Sequence, residues 1–335
     1  MRRYLVTGGA GFIGSHLAEA LVRRGDGVRV LDDLSTGRLE NLEPLGIGDA
    51  GSGAPVELVR GSVSSVAACR TACEGVEAVF HEAALVSVPK SFEDPVRCYE
   101  TNVTGTLRLL EASQACGVRA FVLAASSAAY GDSETLPKRE DMLPDPLSPY
   151  ASSKIASEHL LRVWGRTYGL RTVSLRYFNV FGPRQRDDSP YTGVIALFAR
   201  ALLDGRAATI QGDGEQTRDF NYVDNVVSAN LLAVEASLAP GSVINIGGGE
   251  RISILALHRA MAKFAGAHAE AVHVAPRAGD VRHSLASLDR ARSLLGYEVL
   301  VPFEEGLART MAWYRGRLAT SRASIGPVAG SREEG

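Results

Sequence analysis

The chain is poor in lysine and cysteine, and it has neither a strong net charge nor a long apolar run. A net charge of −2 over 335 residues favours binding to neither nucleic acid nor a membrane surface. Four cysteines without a second cluster of Cys or His predict neither a disulfide framework nor a metal site. No run reaches membrane-spanning length, and no apolar targeting region follows Met1, so we expect a cytoplasmic protein.

A glycine-rich turn near the start has the spacing of a dinucleotide-binding loop. Residues 3–7 form an apolar strand, and Gly8, Gly11 and Gly14 follow it before an amphipathic helix that runs through Arg24. Gly8 allows a tight turn, Gly11 lets the backbone approach a pyrophosphate, and Gly14 lets helix and strand pack closely. The free N–H groups at the start of the helix favour phosphate. The pattern therefore predicts a doubly wound α/β fold with a bound dinucleotide.

An acidic pair ends the second predicted strand, at residues 28–32. Asp32 is placed to hold the hydroxyls of an adenosine ribose, and its charge would repel a 2′-phosphate. This favours NAD over NADP. The alternative interpretation of Asp32 and Asp33 is a solvated turn. A surface loop is expected over 40–55.

A buried strand at 121–125 runs into two serines, Ser126 and Ser127, and the chain is organised around this point. Ligands of open α/β sheets bind at the carboxyl ends of the strands, so these hydroxyls lie where chemistry can occur. A helix then starts at Pro149, and it carries Tyr150 and Lys154 one turn apart. A neighbouring ammonium lowers the pKa of a phenol, which would make Tyr150 a general base.

Lysine at this position is informative because only four of the 36 basic residues are lysine: Lys90, Lys138, Lys154 and Lys263. A Tyr–Lys pair at helical spacing can also arise by chance. The strong bias towards arginine and the serine-bearing strand before the pair argue against chance.

The strand at 77–81 ends in His81, which we interpret as a hydrogen-bonded structural residue rather than a catalyst. Small residues after it, including Ala83, permit close approach of a cofactor. Asn102, on a long helix predicted over 94–116, is expected to tie strand ends together.

The fold predicted from these elements is a Rossmann-type doubly wound parallel sheet with a smaller α/β substrate-binding domain. The NAD-binding domain spans 1–180 and is completed by about 223–250, where 243–246 reads as a returning strand. The substrate-binding domain takes 181–222 and 251–318. The tail at 319–335 lacks periodicity, and we expect it to be disordered.

Nine segments in order resemble the extended short-chain dehydrogenase/reductases of the nucleotide-sugar epimerase and dehydratase kind. They are TGGAGFIGSHL, LDDLSTG, HEAALVSVPKS, TNVTGT, ASSAAYGD, SPYASSK, RYFNVFGPRQ, GDGEQTRDF with YV and D, and RAGDVRHSLA. The resemblance implies that Tyr150 is the active-site base, that Lys154 binds the nicotinamide ribose and lowers the tyrosine pKa, and that Ser126 hydrogen-bonds the reacting sugar hydroxyl.

The resemblance also implies a set of residues that contact NAD and a set that contact a UDP-sugar. The cofactor-binding residues are Gly8, Gly11, Phe12, Ile13, Gly14, Asp32, Asp33, Ser35, Thr36, Gly37, Ser62, Val63, Ala83, Asn102, Tyr150, Lys154, Tyr177 and Val180. The substrate-binding residues are Ser87, Ser126, Ser127, Asn179, Val194, Arg218, Arg277, Asp280 and Ser284. Asn179, the two arginines and Asp280 match positions that hold the diphosphate, for which arginine forks are suited. Ser62 departs from the family, which usually has Asp facing the adenine amine.

The residue after Ser127 separates the activities of the family. Sugar dehydratases have Asp and Glu where this chain has Ser127 and Ala128, and decarboxylases have Glu in the second place. Ala128 supplies neither an acid nor a base for elimination or decarboxylation. The resemblance therefore implies epimerisation at carbon 4 through a transient 4-keto sugar.

Two small residues bear on the sugar. Ser284 matches a position filled by a bulky Tyr in epimerases confined to UDP-glucose and UDP-galactose, and Ser87 resembles the segment that faces the acetamido group in N-acetylhexosamine epimerases. We therefore expect interconversion of UDP-GlcNAc and UDP-GalNAc, with UDP-glucose and UDP-galactose also accepted. The alternatives are a UDP-glucuronate 4-epimerase, a dehydratase or decarboxylase, and a non-catalytic protein that senses NAD.

A homodimer is expected by the same resemblance. The predicted helices at 94–116 and 150–169 carry apolar residues beyond one buried stripe, although core packing is the alternative for each. The candidates for a paired helical interface are Leu107, Leu110, Leu160, Leu161 and Trp164.

Overall fold

The computed structural model describes residues 2–187, 193–266, 270–276 and 281–324. Its centre is an eight-stranded sheet in which every neighbouring pair is parallel. In sheet order the strands are β12 (Ser242–Ile246), β7 (Arg171–Tyr177), β6 (Ala120–Ser126), β5 (Ala78–His81), β1 (Arg3–Thr7), β2 (Gly27–Asp32), β4 (Val56–Arg60) and β3 (Ile47–Asp49). The prediction of a doubly wound parallel sheet is confirmed.

Ten α-helices are described, and short 3-10 or π-helical turns occur beside them. The helices are α1 (Phe12–Arg23), α2 (Val66–Cys73), α3 (Val88–Glu93), α4 (Pro95–Tyr99), α5 (Gly105–Ala115), α6 (Pro149–Tyr168), α7 (Val194–Leu203), α8 (Val223–Glu235), α9 (Ile254–Ala265) and α10 (Phe303–Ser324). The turns are 3-10 at Leu39–Asn41, Glu43–Leu45 and Ser127–Tyr130, and π-helical at Glu100–Thr104 and Ala291–Leu295. Among the described residues, no helix combines the length and the apolar character needed to cross a bilayer.

Helices cover both faces of the large sheet, which is why its strands are almost continuously apolar. Neighbouring residues of β1 point to opposite faces. Val6 packs in a core with Leu17 of α1 and Val226 of α8. Leu5 packs in a second core with Leu109 of α5 and Leu161 of α6.

A third core lies between the helices α7, α9 and α10. It contains Phe198, Leu257 and Met311, all of which are almost completely buried. Three two-stranded sheets complete the architecture: β9 (Ala208–Gln211) with β14 (Ala271–Val274), β10 (Thr217–Arg218) with β13 (Ile252–Ser253), and β8 (Val180–Phe181) with β11 (Asn221–Tyr222).

The segment from Ala286 to Tyr297 departs from the predicted division of the chain. The sequence assigned it to the substrate-binding domain, but both of these residues are buried in the core that holds β1 and α8. The Tyr297 hydroxyl donates to the carbonyl of Gly247 at 2.9 Å, just after the returning strand β12. This long-range hydrogen bond draws the segment to the large sheet.

Four other expectations were wrong in detail. The predicted loop over 40–55 contains the edge strand β3, whose Ile47 pairs in register with Val56. The predicted helix over 94–116 is interrupted by the π-helical turn. The helix α10 continues to Ser324, past the predicted end of structure at 318, and residues 325–335 lie outside the described chain. Leu110 and Leu161 are fully buried, so they cannot line an interface between subunits.

Candidate active site

The glycine loop between β1 and α1 is built for close approach of a ligand. Gly8 has a φ of +65°, and a Cβ added there would lie 2.8 Å from the backbone nitrogen of Ala83. A Cβ on Gly14 would meet the carbonyl oxygen of Gly8 and would lie 2.8 Å from the Cα of Gly9. No side chain caps the N-terminus of α1, which starts after Gly11, so its first N–H groups can face an anion. These features fit the pyrophosphate of a dinucleotide.

Asp32 is fixed beside this loop rather than solvated. Its carboxylate accepts from the N–H of Ala10 at 2.9 Å and from that of Leu34 at 2.8 Å, and only 7% of the residue is exposed. Burial raises its pKa, and the two backbone hydrogen bonds oppose that shift. Asp33, by contrast, is exposed and accepts from the N–H and hydroxyl of Ser35, as a solvated turn does. Asp32 is therefore the residue suited to hold a ribose.

Gly37 and Thr36 lie at the same edge as Asp32. A Cβ on Gly37 would stand 2.9 Å from a carboxylate oxygen of Asp32, so this position also requires glycine. The carbonyl of Thr36 accepts from a guanidinium nitrogen of Arg186 at 3.3 Å. Phe12 and Ile13 begin α1 itself.

Ser62 and Val63 follow β4 and play different parts. The Ser62 hydroxyl accepts from the N–H of Ser64 at 3.1 Å within a local turn. Val63 is buried beneath the site, where a Cβ on Gly105 would stand 2.8 Å from its side chain. The structure therefore shows a turn stabilised by Ser62 at the position where Asp is usual.

His81 and Asn102 serve as internal ties. The two ring nitrogens of His81 contact the hydroxyls of Thr7 at 2.7 Å and Thr106 at 2.9 Å, and burial lowers the pKa of the ring to about 3. The imidazole is therefore neutral, and both of its nitrogens are hydrogen-bonded. The side-chain oxygen of Asn102 accepts from the N–H of Leu85 at 2.8 Å.

Asn102 also connects that strand end to α6. Its amide nitrogen donates to the hydroxyl of Ser153 at 2.9 Å, inside the helix that carries Tyr150 and Lys154. Ala83, two residues before Leu85, donates its N–H to the Thr7 hydroxyl at 3.2 Å. The segment after β5 is thus held against both the glycine loop and α6.

Ser126, Tyr150 and Lys154 converge at the carboxyl end of β6. Ser126 is the last residue of that strand, its hydroxyl accepts from the N–H of Ala128 at 3.2 Å, and it forms a hydrogen bond with Tyr150. The Lys154 ammonium donates to the carbonyl of Ala124 at 2.8 Å and lies 6.0 Å from the centre of the Tyr150 ring. The start of α6 is fixed because the Ser148 hydroxyl accepts from the N–H of Ala151.

The charge balance at this point differs from the sequence-based expectation. Burial raises the pKa of Tyr150, and the hydrogen bond from Ser126 opposes the shift without reversing it. Burial also lowers the pKa of Lys154 to about 8. In the chain by itself desolvation of the phenolate outweighs the other influences on Tyr150, and the lowering of its pKa by Lys154 stays a prediction.

Tyr177 and Glu82 form a second polar pair at the same edge. The Tyr177 hydroxyl donates to a carboxylate oxygen of Glu82 at 2.9 Å, and burial raises the pKa of Glu82 to about 7. Sequence reasoning missed Glu82. The available signal was a carboxylate placed among small apolar residues directly after a buried strand. Val180, in β8, is partly buried three residues after Tyr177.

The residues predicted to bind the substrate come from several segments. Ser127 opens the 3-10 turn that follows Ser126, and Val194 is the first residue of α7. The Asn179 amide donates to the carbonyl of Asp219 at 3.4 Å. The Ser87 hydroxyl caps α3 by accepting from the N–H of Lys90. Arg277 and Asp280 lie outside the described residues.

Arg218 and Ser284 are neighbours through β10. The N–H of Ser284 donates to the carbonyl of Thr217 at 3.1 Å, and a guanidinium nitrogen of Arg218 donates to the same carbonyl at 3.0 Å. Ser284 is 8% exposed. Asp219 follows Arg218, and its side chain connects the segments of this region. It was not singled out from the sequence.

The Asp219 carboxylate joins two other backbone segments to its own. It accepts from the N–H groups of Gly248 at 2.6 Å, Gly249 at 3.2 Å and Ala286 at 2.9 Å. Burial raises its pKa to about 6, and these hydrogen bonds oppose the shift. Asp219 therefore fixes the loop that carries Ser284. Among the described residues, no cluster of three or more His, Cys, Asp or Glu could hold a metal ion.

Comparison with known proteins gives a consistent result. A model described as the NAD dependent epimerase/dehydratase family matches residues 4–247. The UDP-glucose 4-epimerase of Mycolicibacterium smegmatis is 40% identical over 316 residues, which cover 94% of this chain and 99% of that protein. The resemblance drawn from the nine segments is thereby confirmed.

Two solved structures extend the comparison. A UDP-N-acetylglucosamine 4-epimerase from Methanobrevibacter ruminantium M1, in complex with UDP-N-acetylmuramic acid, is 35% identical with a TM-score of 0.87, and the match covers 94% of this chain and 99% of that one. A UDP-glucuronic acid 4-epimerase from Bacillus cereus, in complex with UDP-glucuronic acid and NAD, is 31% identical with a TM-score of 0.85 and the same coverage. The three relatives are named for three different UDP-sugars.

Proposed function

The chain belongs to the NAD dependent epimerase/dehydratase family, and from that premise we propose that it interconverts UDP-GlcNAc and UDP-GalNAc by inverting carbon 4. Its cofactor is NAD, and UDP-glucose and UDP-galactose are accepted as well. The observation that carries the proposal is the convergence of Ser126, Tyr150 and Lys154 at the end of β6, beside the glycine loop. Relatives named as UDP-sugar 4-epimerases, matched over nearly their whole length, support the reaction class.

The residues fit NAD at one edge of the sheet. The N-terminus of α1 would face the pyrophosphate, Asp32 would accept from the ribose hydroxyls, and Lys154 would donate to the nicotinamide ribose. Bound NAD would supply the hydride acceptor and donor that inversion at carbon 4 needs. The protein's own task is to hold the sugar and move one proton.

Proton transfer falls to Tyr150. The phenolate of Tyr150 takes the proton of the 4-hydroxyl. The Ser126 hydroxyl, which is hydrogen-bonded to Tyr150, would also hydrogen-bond the sugar oxygen. The 4-keto sugar then turns over about its link to the diphosphate, and Tyr150 gives the proton back. Since burial raises the tyrosine pKa, the phenolate requires a charged Lys154 nearby.

Ala128 argues against a lyase. Its N–H donates to the Ser126 hydroxyl at 3.2 Å, so Ala128 lies next to the catalytic serine in the turn. A methyl group can neither donate nor accept a proton at carbon 5 or carbon 6. Hydride removal and return at carbon 4 requires no further acid or base.

The size of Ser284 supports the acetylated sugars. Its side chain is small, and its backbone is fixed through Thr217 beside Arg218. By the family resemblance, a tyrosine here would occupy the place of the acetamido group, whereas a serine would leave room for it.

A panel of UDP-sugars with product separation tests the proposal. The wild type should convert UDP-GlcNAc, and Ser284→Tyr should suppress that conversion while sparing UDP-glucose. Ser284→Ala is the matched control, since it keeps the position small and should leave both conversions in place. A wild type that ignores UDP-GlcNAc, or a Tyr variant that handles both pairs equally, would refute the assignment.

The same panel must include UDP-glucuronate, because one of the similar structures is named for that substrate. Formation of UDP-galacturonate without conversion of UDP-GlcNAc would replace the proposed sugar and leave the reaction class intact.

A further inference from the structure

Glu82 is a carboxylate at the active-site edge that the mechanism above does not use. It follows β5, and its N–H donates to the carbonyl of Thr7 at 3.2 Å. A Cβ on Gly8 would lie 3.1 Å from the carbonyl carbon of Glu82. The backbone of Glu82 is therefore packed against the glycine loop, and its position is set by β1 and β5 together.

Two side chains from other elements orient the Glu82 carboxylate. The Tyr177 hydroxyl donates to it at 2.9 Å and accepts from the Asn230 amide at 2.8 Å. The same amide nitrogen donates to the carbonyl of Val226 at 2.9 Å, which fixes Asn230 within α8. Burial raises the pKa of Tyr177 well above its ordinary value, so the phenol keeps its proton and remains a donor to Glu82. The donors and acceptors are thus fixed from Asn230 through Tyr177 to Glu82, and the carboxylate is the final acceptor.

Lys154 and Glu82 lie at the ends of neighbouring strands: the Lys154 ammonium donates to the carbonyl of Ala124 at 2.8 Å, and Leu123, just before Ala124, pairs in register with His81, just before Glu82. Burial lowers the pKa of Lys154, and the negative charge of Glu82 is the largest influence that raises it. The effect is mutual, since Lys154 lowers the pKa of Glu82 against burial. Glu82 bonds to a neutral phenol, so its charge is not consumed by a partner cation.

Other groups that face Lys154 contribute less charge. Glu158 also raises the lysine pKa, but both of its oxygens accept from Arg176 at 2.8 Å, which offsets its charge. Burial raises the pKa of the Cys98 thiol and lowers that of His81 to about 3, so both are neutral near pH 7. Burial likewise keeps Tyr150 protonated in the chain by itself. Glu82, with a pKa of about 7, is mostly ionised near pH 8 where Lys154 titrates, and it is left as the principal negative charge there.

We propose that Glu82 is a positioning residue that acts through Lys154: its carboxylate, oriented by Tyr177 and Asn230, keeps the lysine side chain charged beside Tyr150. Only an ammonium stabilises a phenolate, because a neutral amine carries no charge. The consequence for turnover rests on the proposed epimerase reaction. The effect of Glu82 on the charge of Lys154 does not rest on that reaction, since it is a property of the folded protein.

The scarcity of lysine allows a direct test. Protein labelled with ¹³C at the lysine ε-carbon gives four side-chain signals, from Lys90, Lys138, Lys154 and Lys263. The signal that is missing from the spectrum of Lys154→Met is that of Lys154. The titration midpoint of Lys154 is read by NMR in the protein as purified. Glu82→Gln should move that midpoint to lower pH by about one unit, because an opposite charge is lost.

Three further variants make the result specific. Glu82→Asp keeps the charge and should keep the midpoint near that of the wild type. Tyr177→Phe removes the hydroxyl that stabilises the ionised carboxylate, so it should move the Lys154 midpoint in the same direction as Glu82→Gln, and it serves where that variant does not fold. Glu77→Gln is the matched control, because Glu77 lies just before β5 and pairs with Arg2 and Arg119 instead.

An unchanged Lys154 midpoint in folded Glu82→Gln, or in Tyr177→Phe where the former fails to fold, would overturn the proposal. In turnover assays the alkaline limb of kcat should move by the same amount, whereas a purely structural role would lower kcat equally at all pH values. If the wild type turned over no UDP-sugar while the midpoint still shifted, the proposed function would be at fault and Glu82 would keep its role.

Discussion

Replacing Gly14 with alanine tests the close packing of α1 on the glycine loop. The added methyl group would overlap the carbonyl oxygen of Gly8 and stand 2.8 Å from the Cα of Gly9. Both are backbone atoms, and Gly8 cannot retreat freely because the backbone of Ala83 is packed against it, so closely that a Cβ on Gly8 would lie 2.8 Å from the Ala83 nitrogen. Overpacking against rigid atoms costs about 3 kcal/mol, from which the better helix propensity of alanine removes up to ~1 kcal/mol.

A net loss of about 2 kcal/mol should lower the melting temperature by roughly 3 °C in a chain of 335 residues. Retention of NAD should fall by at least about tenfold, since α1 must shift away from the loop whose N–H groups face the phosphates. Thermal unfolding and equilibrium dialysis measure the two effects.

The matched control is Gly316→Ala, another glycine within an α-helix. A Cβ there has nothing within 4 Å, so the variant should be more stable by up to ~1 kcal/mol and should bind NAD normally. If Gly14→Ala melted with the wild type and retained its NAD, the account of the glycine loop would be refuted.

Three further outcomes are expected. Tyr150→Phe should fold and bind NAD but lose roughly 10²- to 10⁴-fold in kcat, since the base is removed with little change in volume; near-normal turnover would contradict the mechanism. Denatured protein should release NAD rather than NADP, because Asp32 is fixed where a 2′-phosphate would be repelled; a predominance of NADP would show that argument to be wrong. Light scattering at micromolar concentration should give twice the 35.6 kDa of one chain, as Phe92, Val96 and Val163 are exposed apolar side chains on helices; a monomer mass would count against the dimer.

The parts of the site that could be predicted from the sequence are those whose geometry is local. The spacing of Gly8, Gly11 and Gly14 fixes a turn within seven residues, and Tyr150 and Lys154 share a helical face because they are one turn apart. Such relations need no knowledge of the rest of the fold. Their charge balance was not predictable, because the pKa of Tyr150 depends on burial by distant segments.

Glu82 and Asp219 were missed for the opposite reason. Glu82 is joined to a tyrosine 95 residues away, and Asp219 to an N–H group 67 residues away. Neither partner is marked by a spacing in the sequence. The placement of 286–297 escaped prediction likewise, since the hydrogen bond from Tyr297 to Gly247 spans 50 residues.

The return of the chain to the large sheet through β12 has a consequence for engineering. β12 pairs with β7 along five residues, so a protein cut after 180 would leave β7 as a bare edge strand, open to pairing with other chains. The loops between β7 and β12 are joined to the sheet at both ends. An exchange of these loops between relatives should therefore succeed only where both junctions with the sheet are kept. A protein made by fusing two modules that are meant to fold separately should aggregate.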